Sequence, residues 1–76
     1  SEPCQAGAKL LYLEQYRRMH PGDPAVLFCL ATLYAREGKS APARDALKEV
    51  LTIEPGKVEA VRLLEAVERK MREGAA

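Results

Sequence analysis

The chain has no tryptophan, one phenylalanine, one histidine and two cysteines in 76 residues. Two cysteines, Cys4 and Cys29, make no disulfide framework, since a secreted mini-domain of this size usually carries four or more. The expectation is two reduced thiols in a reducing, cytoplasmic setting; a Cys4–Cys29 bridge has no support in the spacing. A structural zinc site takes four ligands. Cys4, His20 and Cys29 offer three, without ligand spacing, so no metal is expected. Charge of one sign is also lacking. Twelve Lys and Arg face eleven Asp and Glu, for a net charge of +1. A nucleic-acid binder needs a basic excess to displace counterions, so none is expected as a partner.

Long apolar runs are missing too. The longest is Ala25 to Ala31, far short of the roughly 20 residues that span a bilayer. Membrane insertion is not expected. Residues 1–9 mix Glu2, Gln5 and Lys9 with no apolar stretch, unlike a secretory leader. No Gly-rich phosphate loop appears, and no Ser or Cys stands in a motif with a base. His20 sits beside Pro21 in a turn. The chain is read as non-catalytic and free of cofactors. What is present is 47% hydrophobic residues and 30% charged ones, which excludes a disordered tail.

Three breaks divide the chain. They are His20-Pro21-Gly22-Asp23-Pro24, Glu37-Gly38-Lys39-Ser40 and Glu54-Pro55-Gly56-Lys57. Proline lacks a donor and glycine accepts positive φ, so both stop helices. Four segments remain, each with apolar residues at helical spacing and none with a strand's alternation. The first runs from Pro3 to Met19 with Leu10, Leu13, Tyr16 and Met19 as its stripe, widened by Leu11 and Tyr12. The second runs from Pro24 to Glu37, capped by Asp23, with Leu27, Leu30, Ala31 and Tyr34 toward the core. The third starts at an N-cap Ser40. It carries Ala43, Ala46, Leu47, Val50, Leu51 and Ile53. The fourth, Lys57 to Glu73, carries Val61, Leu64, Val67 and Met71. Its Glu65–Arg69 and Glu68–Arg72 pairs have the favourable i,i+4 order. The fold class is all-α, about four helices with short, antiparallel connections.

Pro21-Gly22 and Pro55-Gly56 stand 34 residues apart. The same offset pairs Leu13 with Leu47, Tyr16 with Val50, Met19 with Ile53, Leu27 with Val61, Leu30 with Leu64 and Leu33 with Val67. A period of 34 is the tetratricopeptide length. Residues 24–57 resemble one complete tetratricopeptide repeat. Leu27, Leu30, Ala31 and Tyr34 stand at the family's first-helix positions. Gly38, Ala43, Leu47, Val50 and Pro55 fill its turn, second helix and end. Residues 1–23 resemble the second helix of a preceding partial repeat, with Lys9 in place of the family's Ala. Residues 58–76 resemble the first helix of a following one. There Glu65 and Glu68 replace a small residue and Tyr, as in a solvating cap.

The resemblance implies helix hairpins in a right-handed superhelix whose first helices line a concave groove. Ala25, Phe28, Cys29, Thr32, Ala35 and Arg36 would face it from the complete repeat. Glu59, Arg62, Leu63, Ala66, Arg69 and Lys70 would face it from the last helix. Phe28, Cys29, Thr32, Arg36, Glu59, Arg62, Leu63 and Lys70 are the candidate binding residues. The family's carboxylate clamp for chaperone tails is absent, because Phe28, Cys29, Thr32, Glu59 and Leu63 stand where Lys, Asn and Arg are needed. Apolar Phe28 and Leu63 among Arg and Lys suit a protein or peptide partner with apolar and acidic residues. The function expected is a protein-interaction scaffold. The alternative is self-association, as a homodimer or within a longer array, through Leu10, Leu11 and Tyr12 on the first helix.

Overall fold

The computed structural model describes residues 10–75, with side chains through Gly74. The expected helix start at Pro3, and Lys9 and Cys4, lie outside the described residues. Four helices follow one another, with no strand among the described residues: α1 Leu10–Met19, α2 Pro24–Arg36, α3 Ser40–Ile53 and α4 Val58–Ala75.

The turns form for local reasons. After α1, Asp23 N donates to His20 O at 3.3 Å and Gly22 takes φ of 81°. That is a turn with Pro at its first central position and Gly at the left-handed second. Asp23 then caps α2, its Oδ1 accepting from Ala25 N at 3.0 Å, with Pro24 at the helix start. The α2 C-terminus closes with paired bonds. Gly38 N donates to Ala35 O at 3.1 Å and Lys39 N to Tyr34 O at 2.8 Å. This is the Schellman arrangement, and Gly38 supplies its left-handed residue with φ of 77°. It also displaces the expected cap of α3. Lys39, not Ser40, is the N-cap, and no side chain bonds there.

α2 is the centre of the stack, and its composition shows why. It is flanked on two sides and therefore apolar on two faces. Val26, Cys29 and Leu30 are buried with Leu13 of α1, and Leu33 packs beside them. Leu27 and Ala31 are buried with Ala43, Ala46, Leu47 and Val50 of α3. Ala60 and Val67 of α4 complete that cluster, with Leu63, Leu64 and Met71 packed against it. The packing thus repeats at the sequence offset of 34. Val26, Cys29, Leu30 and Leu33 lie in the α1–α2 cluster. Their counterparts Ala60, Leu63, Leu64 and Val67 lie in the cluster that α3 shares with α4.

Several expected core positions are not core. Met19 is 76% exposed, Ile53 44% and Val61 38%. Met19 and Ile53 are the last residues of their helices. Val61 is the counterpart of buried Leu27, but α4 has no following helix among the described residues to cover it. Val26, Cys29 and Ala60 are buried though they lay off the expected stripes. The pairs Glu65–Arg69 and Glu68–Arg72 do not close. The ion pairs among the described residues are Arg17–Glu49, Lys39–Glu37 and Arg44–Asp45. Exposed i,i+4 pairs gain little against the entropy of fixing two long side chains.

The expectation of reduced thiols also fails. Cys29 is disulfide-bonded, and no cysteine is free among the described residues. Disulfide pairing depends on Cβ atoms meeting within about 4 Å, a tertiary property that spacing does not reveal. The thiol argument for a cytoplasmic setting falls with it. No helix among the described residues is long and apolar enough to cross a membrane.

Candidate functional site

Helical spacing sets Ala25, Phe28, Thr32 and Arg36 along one face of α2. Their counterparts at the offset of 34 are Glu59, Arg62, Ala66 and Lys70, along one face of α4. α2 and α4 touch each other, though each packs mainly on α3. Phe28 and Leu63 are both half-buried, each resting on the α2–α3–α4 cluster. Phe28 therefore works partly as core, but it is not sealed. Arg36, Glu59, Arg62 and Lys70 are exposed.

Two of the expected groove residues are otherwise engaged. Cys29 is 2% exposed, disulfide-bonded and packed toward α1, so it offers nothing to a ligand. Its position between the two apolar faces of α2 decides this. The Thr32 hydroxyl donates back to Phe28 O at 3.0 Å, which leaves its methyl as the chief feature for a partner.

Sequence reasoning missed Lys57, which it treated only as a turn residue. Lys57 Nζ lies 5.0 Å from the centre of the Phe28 ring. That is cation–π distance, and it joins the start of α4 to the face of α2. A signal did exist. The counterpart of Lys57 at the 34 offset is Asp23, the cap of α2. A lysine has no acceptor with which to cap a helix, so its side chain is released for another contact.

The electrostatics of the site are one-sided. α2 contains no carboxylate between Asp23 and Glu37. Arg36, Lys57, Arg62, Arg69 and Lys70 form no ion pair among the described residues. Glu59 and Glu73 are the carboxylates on the matching face of α4. Two other carboxylates are engaged elsewhere: Glu49 with Arg17 at 2.6 Å, and Glu14 with the Tyr34 hydroxyl at 2.6 Å. Burial first, then the Glu14 hydrogen bond and charge, push the Tyr34 hydroxyl up to about 12, with Arg17 opposing.

No protein-family model matches the chain, and no similar curated protein or solved structure is found. The functional reading therefore rests on the residues and their placement. Among the described residues no three His, Cys, Asp or Glu side chains are grouped to hold a metal ion.

A different apolar surface is exposed, with no helix over it among the described residues. Leu11 is 67% exposed and Tyr12 56%, both on α1. Tyr12 and Tyr16 lie 6.2 Å apart between ring centres, and Tyr16 stacks on His20 at 4.2 Å. Tyr12 is the counterpart of Ala46, which is buried in the cluster around α3. Arg44 of α3 is half-buried beside Glu68, Met71 and Arg72. Its Nε lies 3.5 Å from Asp45 Oδ1 without forming a hydrogen bond.

Proposed function

We propose that the chain is a tetratricopeptide-like interaction module, built as helix hairpins of a right-handed superhelix, and that it binds a protein segment along α2 and α4. It is a scaffold and not an enzyme. The observation that carries this reading is the combination of half-buried Phe28 and Leu63 with five cations that form no ion pair among the described residues. Apolar anchors supply affinity once desolvated, and the cations select acidic partners and speed encounter. The packing that repeats at 34 residues supports the repeat architecture. Cys29 drops out of the candidate set, and Lys57 joins it.

The test is capture of binding partners by the immobilised chain, repeated with two variants. Phe28→Ala is expected to weaken a captured partner at least several-fold while helicity is retained. Lys48→Ala, on the exposed side of α3, is expected to be neutral. Loss with Lys48→Ala and none with Phe28→Ala would place binding elsewhere.

A second reading is favoured by the exposed Leu11, Tyr12 and Met19. In it, α1 packs against another copy of the chain or against a further helix of an array, as its counterpart α3 packs under α2. Sedimentation velocity across a concentration series tests self-association. A sedimentation coefficient that rises with concentration, and no longer does so in Tyr12→Ser, is expected from this reading. A concentration-independent monomer removes it.

A further inference from the structure

We infer that Lys57 determines the specificity of the groove, by selecting partner segments that carry a carboxylate beside their apolar anchor. This rests on the groove reading above. Phe28 is the chain's one phenylalanine, half-buried against the α2–α3–α4 cluster. The Lys57 ammonium lies over its ring at 5.0 Å. The root of that side chain is fixed, because Lys57 O accepts from Ala60 N and from Val61 N, each at 3.1 Å. Among the described residues the ammonium has the ring as its partner and no carboxylate. Glu54 and Glu59 are near in sequence, yet neither forms an ion pair with it.

This arrangement makes the ring a guarded anchor. An apolar side chain that seats on Phe28 must move the ammonium aside and forfeit the cation–π contact. If the partner brings only apolar groups, that contact is lost without replacement. If it brings a carboxylate next to the anchor, the ammonium gains a charge-assisted hydrogen bond, which is stronger than the contact it left. The forfeited contact is a cost common to both partners, so discrimination arises from the charge-assisted bond that the acidic partner alone can form. Arg36, Arg62 and Lys70 add positive potential along the same faces, and α2 offers no carboxylate to oppose it. The partner is therefore a protein segment in which Asp or Glu adjoins a large apolar residue. A nucleic-acid strand is disfavoured by the net charge of +1.

The experiment selects binders to the wild-type chain from a random peptide library. The strongest are synthesised with a fluorescent label, in acidic form and with each Asp or Glu changed to Asn or Gln. Binding is measured by fluorescence anisotropy to the wild type, Lys57→Gln, Phe28→Leu and Lys48→Gln. Lys57 is half-buried at the start of α4 and Gln keeps most of its length, and Phe28→Leu removes the ring while keeping an apolar side chain there. The wild type is expected to enrich acid beside an apolar residue. Neutralising that acid is expected to weaken binding by about fivefold or more, as for a charge pair at a partly desolvated contact. In Lys57→Gln the same neutralisation is expected to change little, Phe28→Leu is expected to weaken the acidic and neutral forms alike, and Lys48→Gln should behave as the wild type. If Phe28→Leu lowers affinity but the acid preference survives in Lys57→Gln, the Lys57 inference is overturned and the groove reading stands. If neither variant alters binding, or no peptide is enriched, both are overturned. Displacement of the peptide by single-stranded oligothymidine at physiological salt would reassign the site to polyanions and also overturn the inference.

Discussion

The Tyr34 hydroxyl donates to Glu14 Oε2 across 2.6 Å, and the bond ties α2 to α1 from a ring that packs against the cores on both sides of α2. The bond has a consequence at high pH. The folded state holds the Tyr34 hydroxyl protonated up to about 12, above its ordinary 10.0. Below pH 10 the hydroxyl is protonated whether the chain is folded or not, so its contribution to stability is fully present. Between about 10 and about 12 the unfolded chain loses the proton first, and stability falls as pH rises. Ultraviolet titration is expected to show one of the three tyrosines ionising near 12. Tyr34→Phe is expected to cost about 1 kcal/mol at neutral pH and to remove that tyrosine from the titration. An unchanged alkaline unfolding midpoint in Tyr34→Phe would show that the bond contributes nothing.

The two glycines that follow the helices of the complete repeat should respond oppositely to substitution. Gly38 holds φ of 77°, and an added Cβ meets nothing within 4 Å, so strain in the backbone is the sole cost. Gly38→Ala is expected to destabilise the fold by about 1–2 kcal/mol. Gly56 has no positive φ and equally open surroundings. Gly56→Ala is expected to be neutral, or to stabilise by up to about 1 kcal/mol through the unfolded chain. Urea denaturation of the two variants side by side gives the comparison. Equal losses would contradict the turn geometry.

Ala31 and Ala43 are both fully buried in the cluster between α2 and α3. Small side chains there let the two helices approach, and a larger one must push them apart. Ala31→Leu is expected to cost about 1–3 kcal/mol. For a domain of this length each kcal/mol lowers the melting temperature by about 4–8 °C. Ala41→Leu, at an exposed position of α3, should melt near the wild type. A wild-type melting temperature for Ala31→Leu would contradict the packing register.

Much of this was legible along the chain because local rules act over a few residues. Proline and glycine punctuation marked the three turns. Asp23 before Pro24 announced the α2 cap, and spacing identified Leu13, Leu30, Leu47 and Val50 as core. The offset of 34 anticipated that α2 and α4 would use matching faces. Helical periodicity, caps and internal repetition are properties of sequence neighbours, so the sequence by itself determined four helices, their approximate bounds and their shared register.

The rest depended on which surfaces meet. Met19 and Val61 carry the pattern of core residues and lie exposed, because burial requires a neighbouring helix and none covers them among the described residues. Cys29 became buried because its face of α2 turns toward α1. Lys57 acquired its role from a ring 29 positions earlier in the chain, a distance no window of local spacing spans. Tyr34 found Glu14 only once α1 lay beside α2. Partner choice, burial and hydroxyl acidity all depend on distances of a few ångströms between residues far apart in sequence, and the tertiary structure alone decides those.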